Sequence, residues 1–124
     1  EYSEENGKTE GLSLLKGKVT LLKPNQNTSQ NVLSLPNMGW STIKLKKNIK
    51  VNKFFQNINK LDYYFAHSYA CRLDDKSQVI ATNTYGTEEY TSVLASNNIF
   101  GIQFHPEKSG QSGLQLLKNI LSSN

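Results

Sequence analysis

The residues best suited to chemistry are His105 and Glu107, an imidazole and a carboxylate separated only by Pro106. A carboxylate held beside an imidazole accepts the Nδ1 proton, fixes the tautomer and leaves Nε2 free as a base. Pro106 locks its own φ and pushes His105 towards an extended backbone, so the geometry of the three residues is stiff. This is the second half of a nucleophile triad. Taken alone, the same three residues also describe a surface histidine beside a helix-start glutamate.

The one thiol is Cys71, four positions after His67. If both lie on one strand they are about 13 Å apart, far beyond the roughly 3 Å that a nucleophile and its base need. Cys71 beside His105 on a neighbouring strand stays open, although a small buried thiol is the more ordinary role. One cysteine and two histidines exclude an internal disulfide framework and make no convincing metal site. No metal or organic cofactor is expected, and the cytoplasm is the default compartment.

The elements that must position these groups are mostly strands. Val19 to Leu22 reads as a strand closed by Pro24, Asn25 to Asn31 as a polar loop, and Trp40 to Leu45 as a second strand. A short helical piece around Lys53 to Ile58 follows. Leu61 to Leu73, Gln78 to Thr84, Tyr90 to Ser96 and Ile99 to His105 are rich in β-branched and aromatic residues and predict a β-meander. Asp74 to Ser77 and Asn97-Asn98 supply turns, the latter suited to a two-residue hairpin with positive φ. In the last strand Phe100, Ile102 and Phe104 share one face and Ile99, Gly101, Gln103 and His105 the other. After Pro106 the spacing becomes helical, with Leu114, Leu117 and Leu121 on one stripe, and Ser109 or Ser112 is placed to cap the helix.

Composition bounds the function. A chain of 124 residues with 36% hydrophobic content supports one small domain. No apolar run approaches a membrane span. The first residue is Glu1, and Glu1 to Gly11 is polar without a secretory pattern, so a segment of a longer chain is expected. The net charge of +4 owes much to Lys44, Lys46, Lys47, Lys50 and Lys53. No aromatic residues interleave with these lysines as a nucleic-acid platform would require, so they read as a solvated strand end and turn. Asn27-Thr28-Ser29 is a glycosylation sequon without a secretory context.

Gly101-Ile102-Gln103-Phe104-His105-Pro106-Glu107-Lys108-Ser109, then Gly113-Leu114 and a leucine-rich helix, resembles the C-terminal signature of class I glutamine amidotransferases. Pro36-Asn37-Met38-Gly39-Trp40, Tyr64-Phe65-Ala66-His67-Ser68-Tyr69 and Asn98-Ile99-Phe100-Gly101 narrow the resemblance to the glutaminase subunit of imidazole glycerol phosphate synthase. It runs from about Gly11 to Leu121. The resemblance implies an α/β chain, the C-terminal portion of a three-layer fold in one domain, mostly a β-meander plus a final helix. It implies His105 as general base and acid, Glu107 as its orienting partner, and His67, Ser68 and Tyr69 at the glutamine pocket. Asn37, Met38, Gly39 and Trp40 would face the synthase (cyclase) subunit, with Trp40 equally suited to a core.

The family's nucleophile lies in a Gly-x-Cys-x-Gly elbow ahead of the Pro36 segment, and neither that pattern nor the oxyanion segment occurs in the 124 residues. The chain by itself is therefore expected to lack glutaminase activity. Two other readings remain open: a paralogue feeding ammonia to a sugar-modifying partner, and a non-catalytic module that binds a synthase.

Overall fold

A computed structural model describes residues 1–25, 32–47 and 53–123. The sequon at Asn27 and the lysine at position 50 lie outside them. Among the described residues ten strands form three small sheets, accompanied by one long α-helix. The first sheet holds β1 (Tyr2–Ser3), β2 (Thr9–Glu10), β3 (Gly17–Leu21) and β7 (Tyr69–Leu73), in the order β2-β1-β3-β7. The second holds β5 (Lys44–Leu45), β8 (Val79–Tyr85), β9 (Glu88–Ser96) and β10 (Ile99–Ile102), in the order β10-β9-β8-β5. In the third, β4 (Asn37–Thr42) pairs with β6 (Asp62–His67). Among the described residues only β1 and β3 pair in parallel. The helix, α1, spans Gly110–Leu121.

The meander exists, but it is confined to β8, β9 and β10. Its two tight turns are Gly86-Thr87, between Tyr85 and Glu88, and Asn97-Asn98, between Ser96 and Ile99. Gly86 and Asn97 carry positive φ, 62° and 53°, as two-residue hairpins demand.

Two expected strands each prove to be two. The stretch from Leu61 to Leu73 breaks at Ser68, where β6 leaves one sheet and β7 joins another. The Ser68 carbonyl instead accepts from Leu22 N at 2.9 Å. The stretch to Leu45 breaks at Ile43, whose side chain is buried while β4 and β5 go to different sheets. Both breaks serve the core: a chain that crosses between packed sheets interrupts its ladder at a corner. The expected helical piece after Lys53 is only a helical Lys53-Phe54 leading into a turn, with Asn57 at φ 59°.

The core is aromatic and lies between the sheets and α1. Tyr63 stacks on Phe104 with ring centroids 4.1 Å apart, and Phe65 meets Phe104 edge-on at 5.6 Å. Ile80, Val93 and Leu116 complete it. Tyr63 and Phe65 project from the same face of β6, so the strand beside the candidate site is anchored by two fully buried rings. Burial pushes the Tyr63 phenol up to about 12.

The helix packs closely on the turn that follows His105. A Cβ added at Gly113 would fall on the Pro106 carbonyl oxygen and crowd the Ser109 side chain. Gly113→Ala should therefore cost about 1–3 kcal/mol, the usual range for overpacking, despite the better helix propensity of alanine. Chemical denaturation measures it, and an unchanged or raised midpoint would show that the turn yields freely.

Candidate active site

The final strand ends at Ile102, three residues before the expected limit of His105. Phe104 turns into the core, and His105, extended at φ −97° and ψ 94°, leads into a 3₁₀ turn over Pro106–Lys108. The backbone then runs along the free edge of β6. His105 N donates to Tyr64 O at 2.8 Å, and Tyr64 N donates to Ser109 Oγ at 3.0 Å. Ser109 Oγ in turn donates to the His105 carbonyl at 2.6 Å.

Ser109 thus stands at the N-cap position of α1 but makes no side-chain cap there. Its hydroxyl is committed to β6 and to His105. Ser112, the other expected cap, donates to Lys60 O. The buried Ser109 is a positioning residue for His105 that helix-cap reasoning had placed correctly in sequence but given the wrong partner.

His105 Nδ1 lies 2.8 Å from Glu107 Oε1, with the side chains 39% and 59% exposed. The imidazole donates and the carboxylate accepts, which leaves Nε2 as the lone-pair nitrogen. Glu107 is held below the ordinary carboxylate range, first by a hydrogen bond from its own backbone N–H and then by the bond from His105. An ionised acceptor is what this tautomer requires.

His67 occupies a different environment. It follows Tyr63 and Phe65 on the inward face of β6 and is directly opposed to Asn37 across the β4–β6 pair. Its Nδ1 lies 2.8 Å from Tyr69 O and its Nε2 3.1 Å from Asn37 Nδ2. Burial, chiefly, and the nearby charge of His105 lower its pKa, against an opposing contribution from the bond to Tyr69. His67, Ser68 and Tyr69 line an open hollow of about 370 Å³ together with Glu5, Val19, Ala66, Cys71 and Gln103. His105 and Glu107 are not on its wall, and β6 links them to it through the four residues Tyr64 to His67.

The one cysteine is in β7, paired with Val19 and half-buried. Burial raises its thiol pKa, only partly offset by the N-terminal amine, Arg72 and Lys76. Cys71 shares the hollow with His67, because the chain bends at Ser68 instead of continuing as one strand. Distance along a strand is therefore not what separates them. The dyad fails because both ring nitrogens of His67 are already engaged, and a thiol with a raised pKa is a poor nucleophile.

Of the four residues expected to face a partner, Met38 and Trp40 are 62% and 60% exposed on the outer face of β4. Trp40 meets Tyr64 edge-on at 6.2 Å. Asn37 does not join them: it is buried and turned inward, as strand alternation requires two positions before Gly39. Among the described residues no cluster of His, Cys, Asp or Glu is placed to hold a metal ion. No helix among them is long and apolar enough to cross a membrane.

Residues 18–123 match the family model "Glutamine amidotransferase class-I". The chain belongs to this family. Class I amidotransferase relatives named "Imidazole glycerol phosphate synthase subunit HisH" include that of Geobacillus sp. (strain WCH70), 39% identical over 97% of this chain and 54% of its own length. The subunit of Pelagibacter ubique is 43% identical over 95% of this chain and 53% of its own length. That of Pyrococcus furiosus is 41% identical over 97% and 57%. The chain thus spans about half the length of the curated relatives it matches.

A histidine with a folded-state pKa below the ordinary value near 6.5 binds a proton more readily when unfolded. Stability should therefore fall as pH drops through and below 6.5, and His67→Gln should remove that component of the slope. Denaturation midpoints between about pH 7.5 and about pH 5.5 test this. An identical slope in the variant would contradict it.

Proposed function

We propose that this chain is the C-terminal part of a single three-layer glutamine amidotransferase domain. It would belong to a cytoplasmic glutaminase subunit that delivers ammonia to the synthase subunit making imidazole glycerol phosphate in histidine biosynthesis. The observation that carries the reading is the His105–Glu107 pair at 2.8 Å, which leaves Nε2 as the free base on a backbone clasped to β6. Identities near 40% to HisH subunits over nearly the whole chain support the choice of acceptor.

In this reading His105 and Glu107 are two members of a Cys-His-Glu triad. The thiol comes from a Gly-x-Cys-x-Gly elbow that the 124 residues do not contain, since Tyr69 and Leu73 stand where the two glycines around Cys71 would be. His105 Nε2 takes the thiol proton as sulfur attacks the carboxamide carbon of glutamine, forming the C–S bond. The C–N bond then breaks, and the same proton passes from His105 to the leaving nitrogen, which departs as ammonia. Water attacks the glutamyl thioester, giving its proton to His105, and glutamate leaves as the thiol is regenerated. Glu107 holds the tautomer and stabilises the imidazolium formed at each stage. The backbone at Ser68 and Tyr69 lines the pocket for the amino-acid end of glutamine. On its own the chain is inactive in this scheme, and no cofactor enters it.

The exposed Met38 and Trp40 side chains, the latter flanked by Tyr64 on the neighbouring strand, suit the contact with the synthase subunit, because large aromatic side chains anchor interfaces.

In a complete glutaminase carrying this segment and bound to its synthase, His105→Ala should lower glutamine hydrolysis about 10²–10⁴-fold, the usual contribution of acid–base catalysis. Glu107→Gln should lower kcat with little change in KM. Activity near wild type for His105→Ala would sink the triad. Trp40→Ala should weaken binding of the synthase subunit by about tenfold or more in a titration, as removal of an interface anchor does. Unchanged affinity would remove β4 from the interface.

A further inference from the structure

The inward face of β4 carries an amide that neither the triad nor the partner surface uses. Asn37 is 7% exposed and both protons of its side-chain nitrogen are spoken for. One points to His67 Nε2 at 3.1 Å and the other to the Tyr90 hydroxyl at 3.0 Å. Tyr90, on β9, is 2% exposed, and its ring meets that of His67 edge-on at 4.9 Å. Three polar side chains from three strands therefore converge inside an otherwise aromatic core.

The proton positions follow from one fixed acceptor. The Tyr69 carbonyl can only accept, so His67 Nδ1 must carry a proton. In the neutral ring Nε2 is then a lone pair, which needs a donor, and the Asn37 amide supplies its N–H. An Asn37 turned the other way would set its carbonyl oxygen against that lone pair. The three contacts admit one consistent arrangement: Nδ1–H on the Tyr69 carbonyl, an Asn37 amide N–H on Nε2, and the remaining amide proton on the Tyr90 hydroxyl.

We propose that Asn37 and Tyr90 are positioning residues for glutamine binding: they hold His67 as the Nδ1–H tautomer and so fix the Tyr69 carbonyl and the turn at Ser68. The inference rests on the glutaminase reading for its consequence in binding, but the tautomer itself can be read without turnover. Ser68 is the corner between β6 and β7. Its carbonyl is held by Leu22 N, while its other flank is held by the ring of His67 bridging to Tyr69 O. Releasing the ring frees one side of the corner, and with it the Ser68 and Tyr69 backbone along the hollow.

The groups facing His67 are few. From β4 there is neutral Asn37, and from β9 the Tyr90 phenol, whose pKa burial pushes far up. His105 acts from the loop beyond β10, and Glu5 and Cys71 face it across the hollow. Asn37→Asp exchanges the donor for a carboxylate acceptor. It should draw a second proton onto Nε2 and turn His67 into an imidazolium at neutral pH.

The test uses a complete glutaminase bound to its synthase, labelled with ¹⁵N-histidine and with the His67 signals assigned by His67→Gln. The wild type should show the neutral Nδ1–H pattern, Asn37→Asp the imidazolium pattern, and Tyr90→Phe a mixture of neutral tautomers. KM for glutamine should rise about tenfold in Asn37→Ala, the order expected for one lost buried hydrogen bond, with kcat falling less than KM rises. If Asn37→Ala does not fold, the near-isosteric Asn37→Asp and Tyr90→Phe carry the same two readouts. An unchanged His67 pattern in Asn37→Asp, or an unchanged KM across these variants, overturns the proposal. Activity surviving His105→Ala would sink the glutaminase reading instead, leaving the tautomer result to be judged by the spectra.

Discussion

The local architecture depends on how the backbone of Tyr64 is clasped. Strand β6 has β4 along one edge, and its other edge would expose an unpaired N–H and C=O at Tyr64, a cost that buried backbone groups do not bear. The segment after β10 removes it: His105 N takes the carbonyl, and Ser109 Oγ takes the amide. The segment carrying the candidate base thereby becomes a surrogate strand. Ser109 gives up its role as a helix cap for this, and Gly113 is bare because the turn must lie directly against α1.

The two histidines show what such placement does to one side chain type. Each lies against an acceptor at Nδ1, a carboxylate for His105 and a backbone carbonyl for His67, both at 2.8 Å. Each therefore presents Nε2 as a lone pair. In His105 the ring is more than a third exposed, and a carboxylate stands ready to stabilise a positive ring. In His67 that nitrogen is closed off by Asn37, the acceptor is neutral, and burial disfavours the charged form. Environment alone makes one a candidate proton carrier and the other a structural hydrogen-bond bridge.

Much of this was legible in the sequence where a local rule acts without tertiary competition. Proline between His105 and Glu107 restricts the backbone whatever surrounds it. Alternation located most of β8 and β9 and all of β10, which it carried three residues too far, and the Asn97 turn needed only a residue tolerant of positive φ. Leucine spacing located α1. The rest turned on contacts between distant segments. Nothing in the local pattern marks Ile43 and Ser68 as corners, since both sit in runs of good strand formers, and the corners arise because successive strands enter different sheets. Ser109 is a sound cap by type, but Tyr64, 45 residues away, competes for its hydroxyl. Asn37 lay in a motif read as a partner surface, while the alternation of β4 puts its side chain opposite to those of Met38 and Trp40. The sequence marked the motif, and only the pairing with β6 divided its faces.

The geometry also bears on how an exposed pair can orient a base at all. A histidine and a carboxylate with 39% and 59% of their side chains exposed hold one another weakly, because water competes for both and screens their attraction. The orientation of His105 must therefore come from its main chain: the 2.8 Å bond to Tyr64, the ring of Pro106 and the 2.6 Å bond from Ser109 to its carbonyl. These bonds tie the imidazole to a strand anchored by Tyr63 and Phe65 and do not depend on solvent exclusion. The contribution of Glu107 does depend on it, since the same 2.8 Å contact grows stronger as the surrounding dielectric falls. The main chain thus sets the position of His105 while the pair stands in water, and the Glu107 contact would strengthen only in drier surroundings.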